Sequence, residues 1–231
     1  MPNTNLFTVT VSCIIGIIAY LIGSINFSIL ISKAISGKDI RESGSGNAGA
    51  TNMLRTHGKK MGILTLLLDV LKGIVVVLIA RLTVMYMPSL YAGIFQTSAP
   101  DIDASFLTYI AGVCVILGHN FPLYFGFKGG KGVATSLGVV LMLDWKIGLT
   151  VAVCAVAAIA VSRYVSLGSI LGGMAYIIAE ISKELATQSY NIIQIVCVVI
   201  IGGLLIARHH ANIKRLLSGT ENKLSFDEKE K

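Results

Sequence analysis

Charged side chains are scarce in this sequence of 231 residues. Asp, Glu, Lys and Arg together make up 13% of the chain, about half the share that is usual in soluble domains. Apolar residues make up 54%, and the mean hydropathy is +0.77. So few charges leave too little polar surface for solvation by water alone, and we therefore expect lipid to be the main solvent.

Several long runs contain no charged residue. They cover 1–32, 104–127, 132–143, 147–162, 164–179 and 185–207. A further apolar stretch, 61–80, carries only Asp69 and Lys72. Because a helix needs about 20 apolar residues to cross the hydrocarbon, the runs predict an all-α, polytopic integral membrane protein.

Signals for cleavage and for metal binding are also missing. The N-terminus lacks the basic start of a signal peptide and a small-residue cleavage site, so we interpret the first run as a retained helix. The cysteines lie inside apolar runs without metal-ligand spacing, which favours small buried hydrophobic residues over disulfides or a metal site. They are Cys13, Cys114, Cys154 and Cys197.

The runs predict seven transmembrane helices, at 8–32, 61–81, 105–125, 132–143, 147–162, 165–183 and 189–207. The fourth and fifth are short, and one merged span is the alternative. A merged span would bury Asp144 and Lys146 in the membrane at high cost, whereas a hairpin tip would expose them. Trp145 between them also suits an interface.

The distribution of Lys and Arg orients these helices. With seven helices and the N-terminus outside, inner segments hold 15 of the 19 Lys and Arg residues and outer segments hold three, as the positive-inside rule requires. We therefore expect a cytoplasmic C-terminus. The whole chain, 1–231, is interpreted as one membrane-embedded domain, with an external connection at 81–104 and a flexible tail over 217–231.

The first inner loop contains a glycine-rich motif that suits phosphate. Its glycines let backbone N–H groups converge on one point where a helix begins, and its neutral polar side chains add hydrogen bonds. Arg55 adds a charge that can bind phosphate through two hydrogen bonds. A flexible linker is the alternative, and Walker A spacing is missing, so nucleotide binding is not predicted. The motif residues are Gly44, Ser45, Gly46, Asn47, Gly49, Thr51 and Asn52.

The second inner segment, 118–135, predicts another anion site. Lys128 and Lys131 flank Gly129 and Gly130 just before a new helix, and cations beside a helix N-terminus attract anions. Ordinary positive-inside anchoring would explain the lysines but not the glycines.

The third segment is split along the chain. Ser166 lies at the junction of helices five and six, and His209 and Asn212 follow helix seven at a spacing that puts them on one helix face. A basic surface helix that attracts anionic lipid is an equal alternative here.

Polar residues inside the apolar runs have other expected roles. Asp69 and Lys72 can pair at i and i+3, and we expect that pair to be structural. For His119, a structural and a functional role remain equally open.

Taken in order, these motifs resemble those of the bacterial acyl-phosphate:glycerol-3-phosphate acyltransferases, the PlsY family. The resemblance covers nearly the whole chain and is carried by 44–52, 118–119 with 127–135, and 208–209 with 212–215. Asn26 stands where the family pattern predicts proline.

The resemblance implies that an acyl group passes from acyl phosphate to the 1-hydroxyl of glycerol 3-phosphate, giving lysophosphatidic acid and phosphate in the first acylation of phospholipid synthesis. It implies catalytic roles for Ser45, Arg55, Lys131, Ser166 and His209. Substrate or phosphate binding is implied for Gly44, Gly46, Asn47, Gly49, Thr51, Asn52, Lys128, Gly129, Gly130 and Asn212.

The implied partners are the two substrates and the lipid bilayer, without nucleic acid, cofactor or metal. We expect a monomer in the bacterial cytoplasmic (inner) membrane with its active site facing the cytoplasm. A transporter or flippase for an organophosphate or lipid phosphate is the alternative. It would need polar groups at both faces, whereas the polar residues here gather at one. A CDP-alcohol transferase would need several membrane-face aspartates, and only Asp69 lies in an apolar run.

Overall fold

The computed structural model describes residues 6–98 and 102–224. All regular structure in this part of the chain is helical, which confirms the predicted all-α class. The α-helices are α1 Leu6–Gly23, α2 Phe27–Ser36, α3 Ala50–Phe95, α4 Ala104–Asn120, α5 Val133–Leu143, α6 Trp145–Ser162, α7 Val165–Thr187, α8 Ile192–Ala207 and α9 His210–Leu217. Short 3-10 turns lie at Ile40–Glu42 and Leu123–Phe125.

Among the described residues, five helical segments are long and apolar enough to cross a membrane, or six if α8 and α9, bent by 53°, form one span. Large apolar side chains such as Leu67, Val153 and Val156 are more than half exposed. An exposed apolar surface of this extent suits lipid rather than water. The chain is therefore a multi-pass membrane protein.

The first predicted helix is broken. α1 ends at Gly23 and α2 begins after Asn26, whose side-chain oxygen accepts hydrogen bonds from Ile29 N at 3.2 Å and Ser28 Oγ at 2.7 Å. Asn26 therefore starts a new helix as an N-cap, a role that proline cannot fill with a side-chain hydrogen bond.

The second predicted helix, 61–81, is too short. α3 runs from Ala50 to Phe95 with a kink at Gly58, which has φ +81°. The external connection predicted at 81–104 is wrong up to Phe95, because the uncharged residues after Arg81 continue α3. The ring of Tyr91 in this part of α3 packs against the rings of Phe7 and Phe95. Residues 99–101 lie outside the described residues.

The predicted break at 144–146 is present. Asp144 ends α5 and caps α6, because its side chain accepts hydrogen bonds from the N–H groups of Lys146 and Ile147. Its other carboxylate oxygen lies 2.7 Å from Lys183 Nζ on α7. The structure therefore has two separate helices, α5 and α6, joined by a hairpin at Asp144, and not one merged span.

The helices pack as a bundle in which α1 lies against α4, α3 against α4 and α5, and α7 between α6 and α8. The loops that carry the three motifs precede α3, α5 and α7 or follow α8, and they meet at one end of the bundle. A flexible tail is predicted over 217–231, but Leu224 in this segment is held by a hydrogen bond from its N–H to Arg163 O at 2.7 Å. Residues 225–231 lie outside the described residues.

Candidate active site

The first motif forms a tight loop in front of α3. Gly44 has φ +59°, and a Cβ there would lie 2.3 Å from Asn52 Oδ1, so only glycine fits. The same oxygen accepts a hydrogen bond from Ser45 N at 2.9 Å, while Asn52 Nδ2 donates to the carbonyls of Ile40 and Ser43. Asn52 therefore holds the shape of the loop that presents Ser45.

This loop leads to a helix N-terminus that faces a cavity. Gly49 caps α3 without a side-chain hydrogen bond, and the first N–H groups of a helix have no intrahelical partner. Gly49, Ala50 and Thr51 line the cavity, as does Asn47. The arrangement can bind an anion through backbone N–H groups and the helix dipole.

The second motif packs directly on the first. Gly130 N donates to His119 O at 3.2 Å. A Cβ on Gly130 would lie 2.3 Å from His119 Nε2 and 2.4 Å from Ala48 O. Glycine at this position lets the two loops touch, so that Lys131 enters the cavity beside the first motif.

Two arginines outside the predicted set hold this turn. Arg208 donates from Nε and Nη2 to Gly130 O, at 3.2 and 3.0 Å. Arg41 donates from Nη1 to Lys128 O at 2.8 Å and pairs with Asp39. The hydrogen bonds from Arg41 lower the pKa of Asp39 to about 2 despite its partial burial. The turn is thus held through its carbonyls by the two arginines and through the N–H groups of Gly129 and Gly130, which donate to Asn120 O and His119 O.

A buried charge cluster lies beneath both motifs. Lys72 Nζ lies 2.8 Å from Asp69 Oδ1, which confirms the predicted pair, and 2.9 Å from both His119 Nδ1 and Ile25 O. Lys72 therefore joins α3, the end of α4 and the break between α1 and α2. These contacts favour the structural role for His119, although its side chain also borders the cavity.

The third motif converges on a carboxylate that the sequence analysis missed. Glu221 Oε1 accepts hydrogen bonds from Ser166 Oγ at 2.9 Å and Asn212 Nδ2 at 2.7 Å, and Oε2 accepts one from Arg215 Nε at 2.7 Å. Burial raises the pKa of Glu221, but these hydrogen bonds outweigh it and hold the pKa below its usual value. The one feature of the sequence that could have indicated a role for Glu221 is its charge, because it is the only acidic residue between 208 and 223.

Lys131 joins the second and third motifs. Its ammonium donates to Asn212 Oδ1. Burial lowers its pKa to about 8, and the charge of Glu221 opposes that shift while the charges of Arg215 and Arg55 add to it. Arg55 itself is exposed at the cavity mouth and donates to Asn222 O at 3.3 Å.

His209 lies at the break between α8 and α9, so the continuous helix expected through Asn212 is absent here. It is 2% exposed, and its Nδ1 lies 2.7 Å from Leu205 O. Because a carbonyl oxygen only accepts, Nδ1 carries the hydrogen and Nε2 keeps a lone pair. The neutral ring can therefore accept a proton or a hydrogen bond at Nε2.

The three motifs share one cavity of about 730 Å³. All but three of the predicted site residues line it, and the exceptions are Gly44, Lys128 and Gly130. Beyond the polar mouth, the lining becomes apolar, with side chains such as Leu137, Val151 and Leu205 from three different helices. The cavity thus combines a cationic, N–H-rich mouth with an apolar interior.

Comparison with known proteins supplies the family. The family model described as glycerol-3-phosphate acyltransferase matches residues 13–219. The curated glycerol-3-phosphate acyltransferase of Clostridioides difficile is 42% identical over 212 residues, covering 91% of this chain and 94% of the relative. That of Halalkalibacterium halodurans is 43% identical over 209 residues, covering 89% and 92%.

Solved structures agree with this result. The crystal structure of PlsY, an integral membrane glycerol 3-phosphate acyltransferase, in its glycerol 3-phosphate form has a TM-score of 0.75 and 37% identity, covering 93% of this chain and 96% of that one. Its lysophosphatidic acid form has a TM-score of 0.71 and 35% identity, with the same coverage of both chains. This chain belongs to the glycerol-3-phosphate acyltransferase family.

Proposed function

We propose that this chain transfers a fatty acyl group from acyl phosphate to the 1-hydroxyl of glycerol 3-phosphate. The observation that carries the proposal is the single cavity that joins an anion-binding mouth to an apolar interior. Both substrates carry phosphate and one carries a long apolar chain. The relatives are named glycerol-3-phosphate acyltransferase, and the solved PlsY structures are described as glycerol 3-phosphate and lysophosphatidic acid forms.

The cavity supports a division of roles. One substrate phosphate is bound by Ser45, Thr51, Arg55 and the N–H groups at the start of α3, and Lys131 supports the second anion. Ser166, His209 and Asn212 orient glycerol 3-phosphate. The acyl chain lies in the apolar interior. Positioning and charge stabilisation supply most of the rate, because phosphate is already a good leaving group.

The bond changes are simple. The 1-hydroxyl oxygen attacks the acyl carbonyl carbon, the bond from that carbon to the phosphate oxygen breaks, and phosphate leaves with its electron pair. The hydroxyl proton goes either to the phosphate or to His209 Nε2. No cofactor or metal takes part in these steps.

The proposed membrane arrangement follows the charge distribution. The chain crosses the bacterial cytoplasmic membrane seven times, with the N-terminus outside and the C-terminus in the cytoplasm, and acts as a monomer. This arrangement gives the cavity mouth direct access to soluble glycerol 3-phosphate, while the acyl donor enters from the bilayer.

Incubating the purified protein with acyl phosphate and glycerol 3-phosphate tests the reaction. We expect lysophosphatidic acid and phosphate in equal amounts without coenzyme A, carrier protein or added metal. Product formed only from acyl-coenzyme A or acyl carrier protein would replace the proposed donor. Uptake of glycerol 3-phosphate into proteoliposomes without acylation would favour a transporter.

His209→Ala tests where the proton goes. If Nε2 acts as the base, we expect kcat to fall by about 10² or more, the usual effect of losing a general base. A smaller loss would favour proton transfer to the phosphate of the substrate. His57→Ala is the control, because His57 bonds to Ser32 and does not border the cavity; it should keep the wild-type rate.

A further inference from the structure

The apolar part of the cavity follows α7 toward the other end of the bundle. On α7 it is lined by Ser166, Ser169, Gly172, Gly173 and Tyr176, residues that fall on one helix face. After Ser169 this face has no polar group until the hydroxyl of Tyr176. The glycines let neighbouring helices come close to α7, since a Cβ on Gly172 would lie 3.4 Å from Ala155 of α6 and one on Gly173 would lie 3.1 Å from Leu205 of α8. The same residues line the cavity, which therefore forms an apolar groove where α6, α7 and α8 meet.

On α7 the lining ends at Tyr176, and on α6 it reaches Gly148 in the first turn of that helix. The next residue on the same face, Glu180, lies one turn further and does not border the cavity. Tyr176 is 2% exposed, and its hydroxyl has no hydrogen-bond partner among the described residues. Packing alone therefore holds the ring at the end of the α7 lining. Val140 of α5 and Ile201 of α8 line the cavity at this depth.

The length of the groove can be estimated from the helix. Ser166 and Tyr176 are ten residues apart on α7, which corresponds to about 15 Å. An extended alkyl chain advances roughly 1.25 Å per carbon–carbon bond, so the groove holds about a dozen bonds. A palmitoyl chain exceeds this length by about three bonds, whereas a dodecanoyl chain fits.

We propose that Tyr176 closes the acyl groove and sets the length of acyl chain that the enzyme accepts. The proposal rests on the proposed function, since it assigns the groove to the acyl donor. It explains why a large, fully buried aromatic ring stands where the lining on α7 ends.

Tyr176→Ala tests the limit. Each methylene that enters an apolar site gains roughly fourfold in affinity. With palmitoyl and dodecanoyl phosphate as competing donors, the kcat/KM ratio of palmitoyl to dodecanoyl should rise at least about tenfold over wild type. Tyr176→Phe should keep the wild-type ratio, because the ring and not the hydroxyl closes the groove.

Two further variants complete the experiment. Ile178→Ala, on the same helix but 61% exposed, should leave the ratio unchanged. Ile201→Ala enlarges the groove from its α8 wall and should raise the ratio in the same direction, which keeps the test valid if Tyr176→Ala does not fold. A wild-type ratio in every folded variant that enlarges the groove would overturn the proposal. Absence of product from wild type with every donor would instead overturn the proposed function.

Discussion

Replacing Lys131 with methionine is expected to lower kcat/KM for glycerol 3-phosphate by about 10²–10³-fold, the usual effect of removing one preorganised group that stabilises transition-state charge. Lys131 is the cation that enters the cavity from the second motif, and its ammonium is tied to Asn212. Methionine keeps most of the volume but supplies no charge. Steady-state kinetics with both substrates varied would measure the loss.

The same lysine gives the reaction a pH dependence. Because burial lowers its pKa to about 8, the free enzyme loses the cation as the pH rises through that value. We expect kcat/KM to fall above about pH 8. Lys131→Arg should move this fall to higher pH, since guanidinium stays protonated.

Lys38→Met is the matched control. Lys38 is an exposed cation in the loop before the first motif and does not border the cavity. Lys38→Met should change kcat/KM less than threefold, because Lys38 can affect the site only through long-range electrostatic attraction, which salt screens. Equal losses in the two variants would mean that only the net charge of the surface matters, and Lys131 would then have no specific role.

Hydropathy predicted the position of most helices but not their continuity. The uncharged run 1–32 crosses the break after Gly23 without a change in composition, because hydropathy reports the solvent and not the backbone. The same limit applies to α3, where an apolar stretch after Ala80 was assigned to a connection although it continues as helix to Phe95. The polar hairpin at Asp144 was predictable because its charges interrupt the apolar pattern.

The site shows a similar division. Glycines and cations clustered along the chain predicted the residues of the first two motifs, most of which line the cavity. Sequence spacing could not separate the residues facing the cavity from those supporting it, so Gly130 and Lys128 were grouped with Lys131. Arg41 and Glu221 could not be found from a local pattern, since the partners Lys128 and Ser166, which tie them to the other motifs, lie far away in the sequence.

Glu221 connects the two parts of the third motif, which lie on α7 and α9. Its carboxylate accepts hydrogen bonds from α7 and α9, and through Asn212 it reaches Lys131. It also supplies negative charge among Lys131, Arg55 and Arg215. Glu221 thus supports the cavity wall, and the segment that follows α9 belongs to the site.

Glu221→Ala should therefore lower both activity and stability. Three donors lose their acceptor, and each hydrogen bond to a charged group is worth about 1.5–3 kcal/mol. The value is lower for Arg215, whose side chain is 41% exposed. We expect a clear drop in melting temperature and at least about a 10²-fold loss in kcat, because Ser166 and Asn212 lose their orientation. Thermal unfolding in detergent and initial rates would measure the two effects.

Glu221→Gln separates position from charge. Its amide oxygen can still accept from Ser166 and Asn212, whereas its NH₂ group cannot accept from Arg215. We expect Gln to recover most of the kcat lost in Ala but not all of the stability. Asn222→Ala, an exposed neighbour that contacts Arg55 only through its carbonyl, should behave as wild type. Equal kcat losses in Gln and Ala would show that the charge of Glu221, and not its hydrogen bonds to Ser166 and Asn212, maintains the site.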